Sequence, residues 1–178
     1  MIVIGVLAPG AASAATVVEI ARRSAASGAR TEVVGVAPVG PAGDRQLLEL
    51  AAAGVGHATV TRSVAQGIEP ADLELALRYL PDIRAIVLVD PDVVLLATAS
   101  AASAWSGATL VVVASLDAEA IGIIDAAAAR PIVIEPPARD PDAAFAGLVA
   151  ALVVRLDAGE APTAAWTSTV ATLAIDPV

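Results

Sequence analysis

Several residue types are absent or nearly absent from this chain of 178 residues. There is no lysine, which excludes a lysine Schiff base and the lysine of a phosphate-binding P-loop. There is no cysteine, which excludes disulfides, thiol catalysis and cysteine metal sites. The single histidine, His57, cannot form a site with two histidine ligands, and a lone histidine more often has a structural role. We therefore predict no metal-binding residues.

Acidic side chains outnumber basic ones, and all ten basic residues are arginine. The formal net charge of −9 argues against a nucleic-acid partner, because a phosphate backbone is bound by a basic surface. Hydrophobic residues make up 57% of the chain, which is too many for a disordered protein. The length fits one domain that spans residues 1–178.

Residues 1–18 carry no charged side chain, so a membrane span or a signal peptide has to be considered there. Pro9 and Gly10 interrupt the apolar run, and no basic segment precedes it. We therefore expect a cytoplasmic protein that does not associate with a membrane.

Short apolar runs rich in β-branched residues alternate along the chain with segments of helical periodicity. Strands are predicted over residues 1–7, 31–36, 57–61, 84–89, 109–114 and 131–134. Helices are predicted over residues 12–27, 42–53, 69–79, 90–103, 117–128, 140–156 and 162–175. Apolar strands separated by helices are typical of a parallel sheet that is covered on both faces. The predicted fold class is α/β, a three-layer α/β/α sandwich with a mostly parallel central sheet.

Two Asp-Pro-Asp segments, at residues 90–92 and 140–142, precede predicted helices. Paired carboxylates can act as a general base or hold Mg²⁺, but acids at the start of a helix are more typical of capping. We predict that Asp90 is the N-cap of its helix and that Pro91 is the first helical residue. Trp105 and Trp166 are predicted to be packing anchors rather than platforms for a ligand.

The glycines form no standard phosphate-binding motif, since neither GxGxxG nor GxxxxGK[ST] occurs. Gly35, Gly40 and Gly43 surround the turn after the second predicted strand. A ligand could approach such a turn at the carboxyl edge of a sheet, although a purely structural turn is the simpler interpretation.

Two long segments, residues 28–60 and 140–174, resemble the PfkB (ribokinase-like) family of sugar kinases. The second resembles the family's GAGDAFxAGLLAAL segment and the helix that follows it. The residues that carry the resemblance are Gly28-Ala29, Val34-Gly35, Gly40, Gly43, Leu47-Leu48, Gly54-Val55, Phe145, Gly147, Leu148 and Ala150-Ala151-Leu152. In addition, Pro9-Gly10-Ala11 resembles the family's N-terminal di-glycine motif.

The resemblance implies a ribokinase-like fold and an ATP-dependent carbohydrate kinase. Under it, Gly10 would bind the sugar, and Asp142 would be the catalytic base that activates the sugar hydroxyl. Gly40, Gly43 and Gly147 would bind the nucleotide cofactor. ATP and Mg²⁺ are expected as cofactors only if the kinase interpretation holds.

The chain also departs from the family pattern. At the family's GAGD loop, Pro141 has no N–H to donate, and Asp140 would occupy the positive end of the helix itself. The base therefore moves to Asp142. Leu7 leads almost directly to Pro9, which leaves no room for the family's β-strand lid, and the asparagines of the family's sugar and metal motifs are missing.

These departures favour a degenerate PfkB-like protein without kinase activity, acting as a binding or assembly module. Its expected partner is a second copy of the chain or another protein, since a mean hydropathy of +0.79 makes a buried interface plausible. One alternative is a minimal ATP-dependent sugar or nucleoside kinase. The other is an unrelated Rossmann-like nucleotide-binding protein, because α/β chains share glycine-after-strand patterns.

Overall fold

The structure is a computed structural model, and it describes residues 1–7, 13–64, 67–128, 130–140 and 142–174. The strands are β1 (Ile2–Leu7), β2 (Thr31–Pro38), β3 (Gly56–Ser63), β4 (Ala85–Val89), β5 (Thr109–Val113) and β6 (Ile132–Ile134). The helices are α1 (Ser13–Ala26), α2 (Pro41–Ala52), α3 (Pro70–Tyr79), α4 (Val93–Ser106), α5 (Ala118–Ala126), α6 (Ala144–Asp157) and α7 (Pro162–Ala174). Residues 12 and 175, predicted as helix ends, lie outside the described residues.

The six strands form one sheet in the order β3-β2-β1-β4-β5-β6, and every pair of neighbours is parallel. The chain starts in the middle of the sheet, winds outward to β3, and then returns to β4 beside β1. Because parallel crossovers are right-handed, the change of direction after β3 places α3, α4 and α5 on the face opposite α1 and α2. One core cluster accordingly contains residues of α1, α2 and α6, and the other contains residues of α3, α4 and α5. The structure confirms the predicted three-layer α/β/α fold.

The central strands are buried along their whole length. All residues of β1 and β4 are buried. In β4, Ile86 and Leu88 belong to the core on one face of the sheet, whereas Val87 belongs to the core on the other. Packing on both faces is the reason that these strands are apolar throughout and do not alternate with polar residues.

A close backbone contact sets the carboxyl end of β1. The pairing of β1 with β2 shifts register between Gly5 and Leu7. A Cβ atom at Gly35 would lie 2.4 Å from the carbonyl oxygen of Leu7, so only glycine fits there. Gly35 therefore lets β2 pass closely beside the end of β1.

The tryptophans do not anchor the core. Trp105 and Trp166 remain 54% and 38% exposed, so the prediction that they are packing anchors was wrong. Helix α7 instead buries Ala165 and Thr169, which lie one helical turn apart. Small side chains on this face allow α7 to lie close to α6.

Within the described segments, no helix is both long enough and apolar enough to cross a membrane.

Candidate functional site at the carboxyl edge of the sheet

Because the strands are parallel, their carboxyl ends lie along one edge of the sheet, where the following helices begin. Ligands of doubly wound α/β proteins bind at this edge, near the point at which the strand order reverses. In this sheet the reversal lies between β1 and β4. Gly10, the predicted sugar-binding residue, lies outside the described residues.

Gly40 and Gly43 form the junction between β2 and α2 at this edge. Gly40 is the N-cap of α2 and has φ 109°, a backbone conformation that glycine adopts without strain. Gly43 lies in the first turn, where a Cβ atom would be 1.9 Å from the carbonyl oxygen of Pro38. Both glycines therefore have a structural role in setting α2 against β2. Their predicted contact with a nucleotide stays a prediction.

Arg62 is a residue of this edge that the sequence reasoning did not single out. It lies near the carboxyl end of β3 and forms an ion pair with Asp44 in the first turn of α2. Its second guanidinium nitrogen, Nη2, lies 3.5 Å from the carbonyl oxygen of Gly40. The rule that ligands meet the carboxyl ends of strands could have identified Arg62, but its partner depends on the packing of α2 on β3.

The first turn of α6 is capped by an aspartate. Oδ1 of Asp140 accepts a hydrogen bond from the backbone N–H of Phe145 at 3.1 Å, and Oδ2 accepts one from Ala146 at 3.3 Å. This confirms the prediction that Asp140 occupies the positive end of this helix. The helix begins at Ala144 rather than at residue 140, because Ala143 takes a left-handed conformation with φ 51°.

Asp142 and Gly147 flank this helix start. Asp142 is exposed and lies directly before the N-cap residue Ala143. The N–H of Gly147 donates to the carbonyl oxygen of Ala143 at 3.0 Å. A Cβ atom at Gly147 would lie 2.9 Å from Nη1 of Arg23, so this glycine is on the side of α6 that packs against α1. The predicted roles of Asp142 as base and Gly147 as a cofactor contact stay predictions.

The same capping recurs at α4 and α5. Oδ1 of Asp92 accepts from the N–H groups of Val94 and Leu95 at 3.0 and 2.8 Å, and Asp117 accepts from Ala120 at 2.9 Å. The N-cap of α4 is therefore Asp92 and its first residue is Val93, so the predictions of Asp90 as N-cap and Pro91 as first helical residue were wrong. Asp90 instead adopts φ 55°.

Acidic side chains dominate the half of this edge that follows β4, β5 and β6. Besides the three capping aspartates, Asp90, Glu135 and Asp142 are exposed there. Glu135 accepts a hydrogen bond from the hydroxyl of Ser115 at 3.1 Å. A triphosphate needs free N–H donors and positive potential, so the described residues do not fit one at the start of α6. Among these residues, no three His, Asp or Glu side chains are grouped to hold a metal ion.

His57 lies at the start of β3, and a wide groove borders the β2–α2 junction, where Pro38 and Ala42 line it beside Gly40 and Gly43. His57 is the second residue of β3. Its Nδ1 atom lies 3.1 Å from the carbonyl oxygen of Val55, in keeping with a structural role. The groove, of about 890 Å³, separates α1 from α2. It is lined by Ala14, Ala15, Val18, Glu19, Arg22, Pro38, Ala42, Arg45, Gln46, Glu49, Ala52 and Ala53.

Comparison with known proteins defines the class of fold. No family model matches the sequence, and no curated protein does either. Among solved structures, the chain is similar to the crystal structure of Sa239, with a TM-score of 0.62 and 12% identity over 85% of this chain and 77% of that one. It is also similar to a putative ribokinase II from E. coli, with a TM-score of 0.59 and 11% identity over 86% of this chain and 79% of that one.

The E. coli protein has been solved both without ligand and with ATP and Mg²⁺, and both structures match equally well. At such low identity these similarities show the fold alone. The chain has the ribokinase fold, as the resemblance in its sequence implied.

Proposed function

We propose that this protein is a ribokinase-fold module that does not transfer phosphate and acts by binding another protein chain. The observation that carries the proposal is the Asp140 carboxylate, which accepts hydrogen bonds from the N–H groups of Phe145 and Ala146. A phosphate at the start of α6 would need those donors and would be repelled by the carboxylate.

This arrangement would strongly lower the rate of phosphoryl transfer in a kinase. Phosphoryl transfer depends mainly on positioning and on electrostatic stabilisation of the negative charge on the transferred group. Removal of one such donor typically lowers the rate about 100- to 1,000-fold. Here a negative charge takes the place of the phosphate, and the exposed Asp142 adds another beside it. These effects act together, which supports a protein without kinase activity.

The distribution of large apolar side chains supports a binding role. Tyr79 is 78% exposed and Trp105 is 54% exposed, although the chain has only four aromatic residues to stabilise its core. Leu48 and Val64 are also exposed. Aromatic side chains are enriched at protein interfaces relative to the rest of a protein surface.

The competing function is a minimal sugar or nucleoside kinase in which Asp142 is the base. It is favoured by the similarity to the E. coli protein that was solved with ATP and Mg²⁺. A nucleotide-binding protein without kinase activity is favoured by the strand order, which is that of doubly wound nucleotide-binding sheets. Both functions require nucleotide binding at the carboxyl edge, and this requirement separates them from our proposal.

Two calorimetric titrations of the purified protein test the proposal. The first uses ATP with Mg²⁺, and the second uses NADH. ADP release is measured in parallel with a panel of sugars and nucleosides. We expect no binding up to millimolar ATP and no turnover. Micromolar ATP binding with turnover that Asp142→Asn abolishes would establish the kinase. Micromolar binding of either nucleotide without turnover would establish a nucleotide-binding protein instead.

A further inference from the structure

Strand β3 ends the sheet on one side and is long enough to pair with another strand. It has eight residues and a single neighbouring strand, β2, within the described chain. Strand β6, at the opposite end, has only three residues. Edge strands of natural proteins usually carry lysine, proline or inward charges that block pairing. None of the residues from Ala58 to Thr61 has an ionisable side chain or is a proline.

The outer side of β3 is open between Thr59 and Arg62. These residues pair in regular register with Val34 to Ala37 of β2, after a register shift nearer the start of the strand. Alternate residues of a parallel edge strand direct their N–H and C=O groups away from the sheet. No hydrogen bond from another described segment reaches the outer side of these four residues. This stretch is therefore a template for an added strand.

Helix α2 places an apolar flank above this edge. Its residues Arg45, Gln46 and Glu49 line the groove that faces α1. Asp44, Leu47, Leu48 and Ala51 recur at helical spacing on a different side, and Asp44 pairs with Arg62 of β3. That side therefore faces the β3 edge. Leu48, one of the two leucines on it, is 69% exposed.

Charge favours this edge as the meeting place of two copies. The molecule carries a net charge of −9, so most of its surface repels a second copy. The charged side chain of β3, Arg62, is already paired with Asp44. Two β3 edges can thus approach each other without bringing unpaired like charges together.

We infer that two copies of this chain associate through antiparallel pairing of β3 with its own copy, with Leu47 and Leu48 of the two α2 helices packed beside the joined strands. A strand paired antiparallel with its copy satisfies the two-fold symmetry of a homodimer, because the same residues supply donors and acceptors on both sides. The result is one continuous sheet of twelve strands. The inference deepens the proposed assembly role and rests on it.

The available area is near the lower limit for a specific interface. The seven residues from Gly56 to Arg62 are about 23 Å long, and a sheet with a helical layer beside it is roughly 25 Å deep, which gives about 580 Å² per copy. A standard interface buries about 800 Å² per partner. Main-chain hydrogen bonds between the strands add to this contact.

Light scattering after size-exclusion chromatography tests the inference at protein concentrations from about 1 to 100 µM, which detects dimers with micromolar dissociation constants. We expect a mass of twice 17.6 kDa for the unmodified chain. Leu48→Glu should weaken the dimer at least about tenfold, because it places two like charges at the joined edge. Val94→Glu is the matched control, since Val94 is 55% exposed on α4 in the other helical layer. It should leave the dimer unchanged.

A monomer at 100 µM, or a dimer that Val94→Glu weakens as much as Leu48→Glu, would overturn the inference. Circular dichroism of Leu48→Glu confirms that it remains folded, as an exposed site allows. The proposed function has a separate test. ATP binding would overturn it, whether light scattering gives the mass of a monomer or of a dimer. A monomer that binds no nucleotide would remove only the β3 dimer.

Discussion

Among single residues, Asp140 is the one that most affects the start of α6 at the carboxyl edge of the sheet. It accepts two hydrogen bonds from the first turn of α6, whereas Asp142 is exposed two residues later. We expect Asp140→Ala to lower the free energy of unfolding by about 1 kcal/mol, the usual value of a helix cap. Asp142→Ala should change it by less than about 0.5 kcal/mol, as is usual at the surface. Urea denaturation measures both, and an equal loss in the two variants would contradict the assignment of the cap.

Gly43 offers a second test at the scale of single residues. A Cβ atom at this position would collide with the carbonyl oxygen of Pro38, so α2 would have to move away from β2. We expect Gly43→Ala to destabilise the protein by about 1–3 kcal/mol, the range found for overpacked sites. At Gly122, in α5, a Cβ atom would meet nothing within 4 Å.

Gly122→Ala is the matched control for that substitution. Alanine lowers the entropy of the unfolded chain and suits a helix, so this variant should gain about 0.5–1 kcal/mol. Thermal unfolding followed by circular dichroism gives both values. If Gly43→Ala were as stable as the unmodified chain, the close contact between α2 and β2 would be wrong.

For helix α7, the helical periodicity of the sequence alone does not predict which face is buried. Trp166 and Val170 are spaced to share one helical face, and Trp166 was predicted to be a packing anchor. The helix instead buries Ala165 and Thr169, and Trp166 remains 38% exposed. Both faces have helical spacing, so the choice depends on how closely α6 approaches. That distance is a property of the packed layers and not of α7.

Substitutions on the two faces of α7 separate these alternatives. Ala165→Leu should destabilise the protein by about 1–3 kcal/mol, because the larger side chain has no space beside α6. Trp166→Ala should cost less than about 1.5 kcal/mol, because a partly exposed side chain loses less burial than the 3–5 kcal/mol typical of a core tryptophan. Urea denaturation of the two variants decides between them. A larger loss for Trp166→Ala would mean that the tryptophan face is the packed one.

For the whole molecule, local sequence patterns were sufficient for the order and type of the elements but not for the geometry of the site. The apolar runs predicted the central strands most clearly, since both faces of β1 and β4 are buried. The cap by Asp140 was predictable because an acid replaces the glycines of the family motif at a helix start. The ion pair of Arg62 with Asp44 was not, because the two residues meet only once β3 lies at the edge of the sheet and α2 packs above it.

The same architecture predicts a gradient of hydrogen-exchange protection across the sheet. Strands β1 and β4 lie in the middle, are wholly buried and can open only when the protein unfolds globally, whereas β3 is at least partly exposed along its length. Mass spectrometry of Leu48→Glu, the variant designed to be monomeric, should show the slowest exchange in β1 and β4. Exchange in β3 should be at least about tenfold faster, corresponding to a difference of about 1.4 kcal/mol in opening free energy. In the unmodified chain, β3 amides should exchange more slowly as the concentration rises, because dimerisation covers them. Equal protection of β3 and β4 in the variant would mean that the sheet opens as one unit and that its edge is not a separate site of exposure.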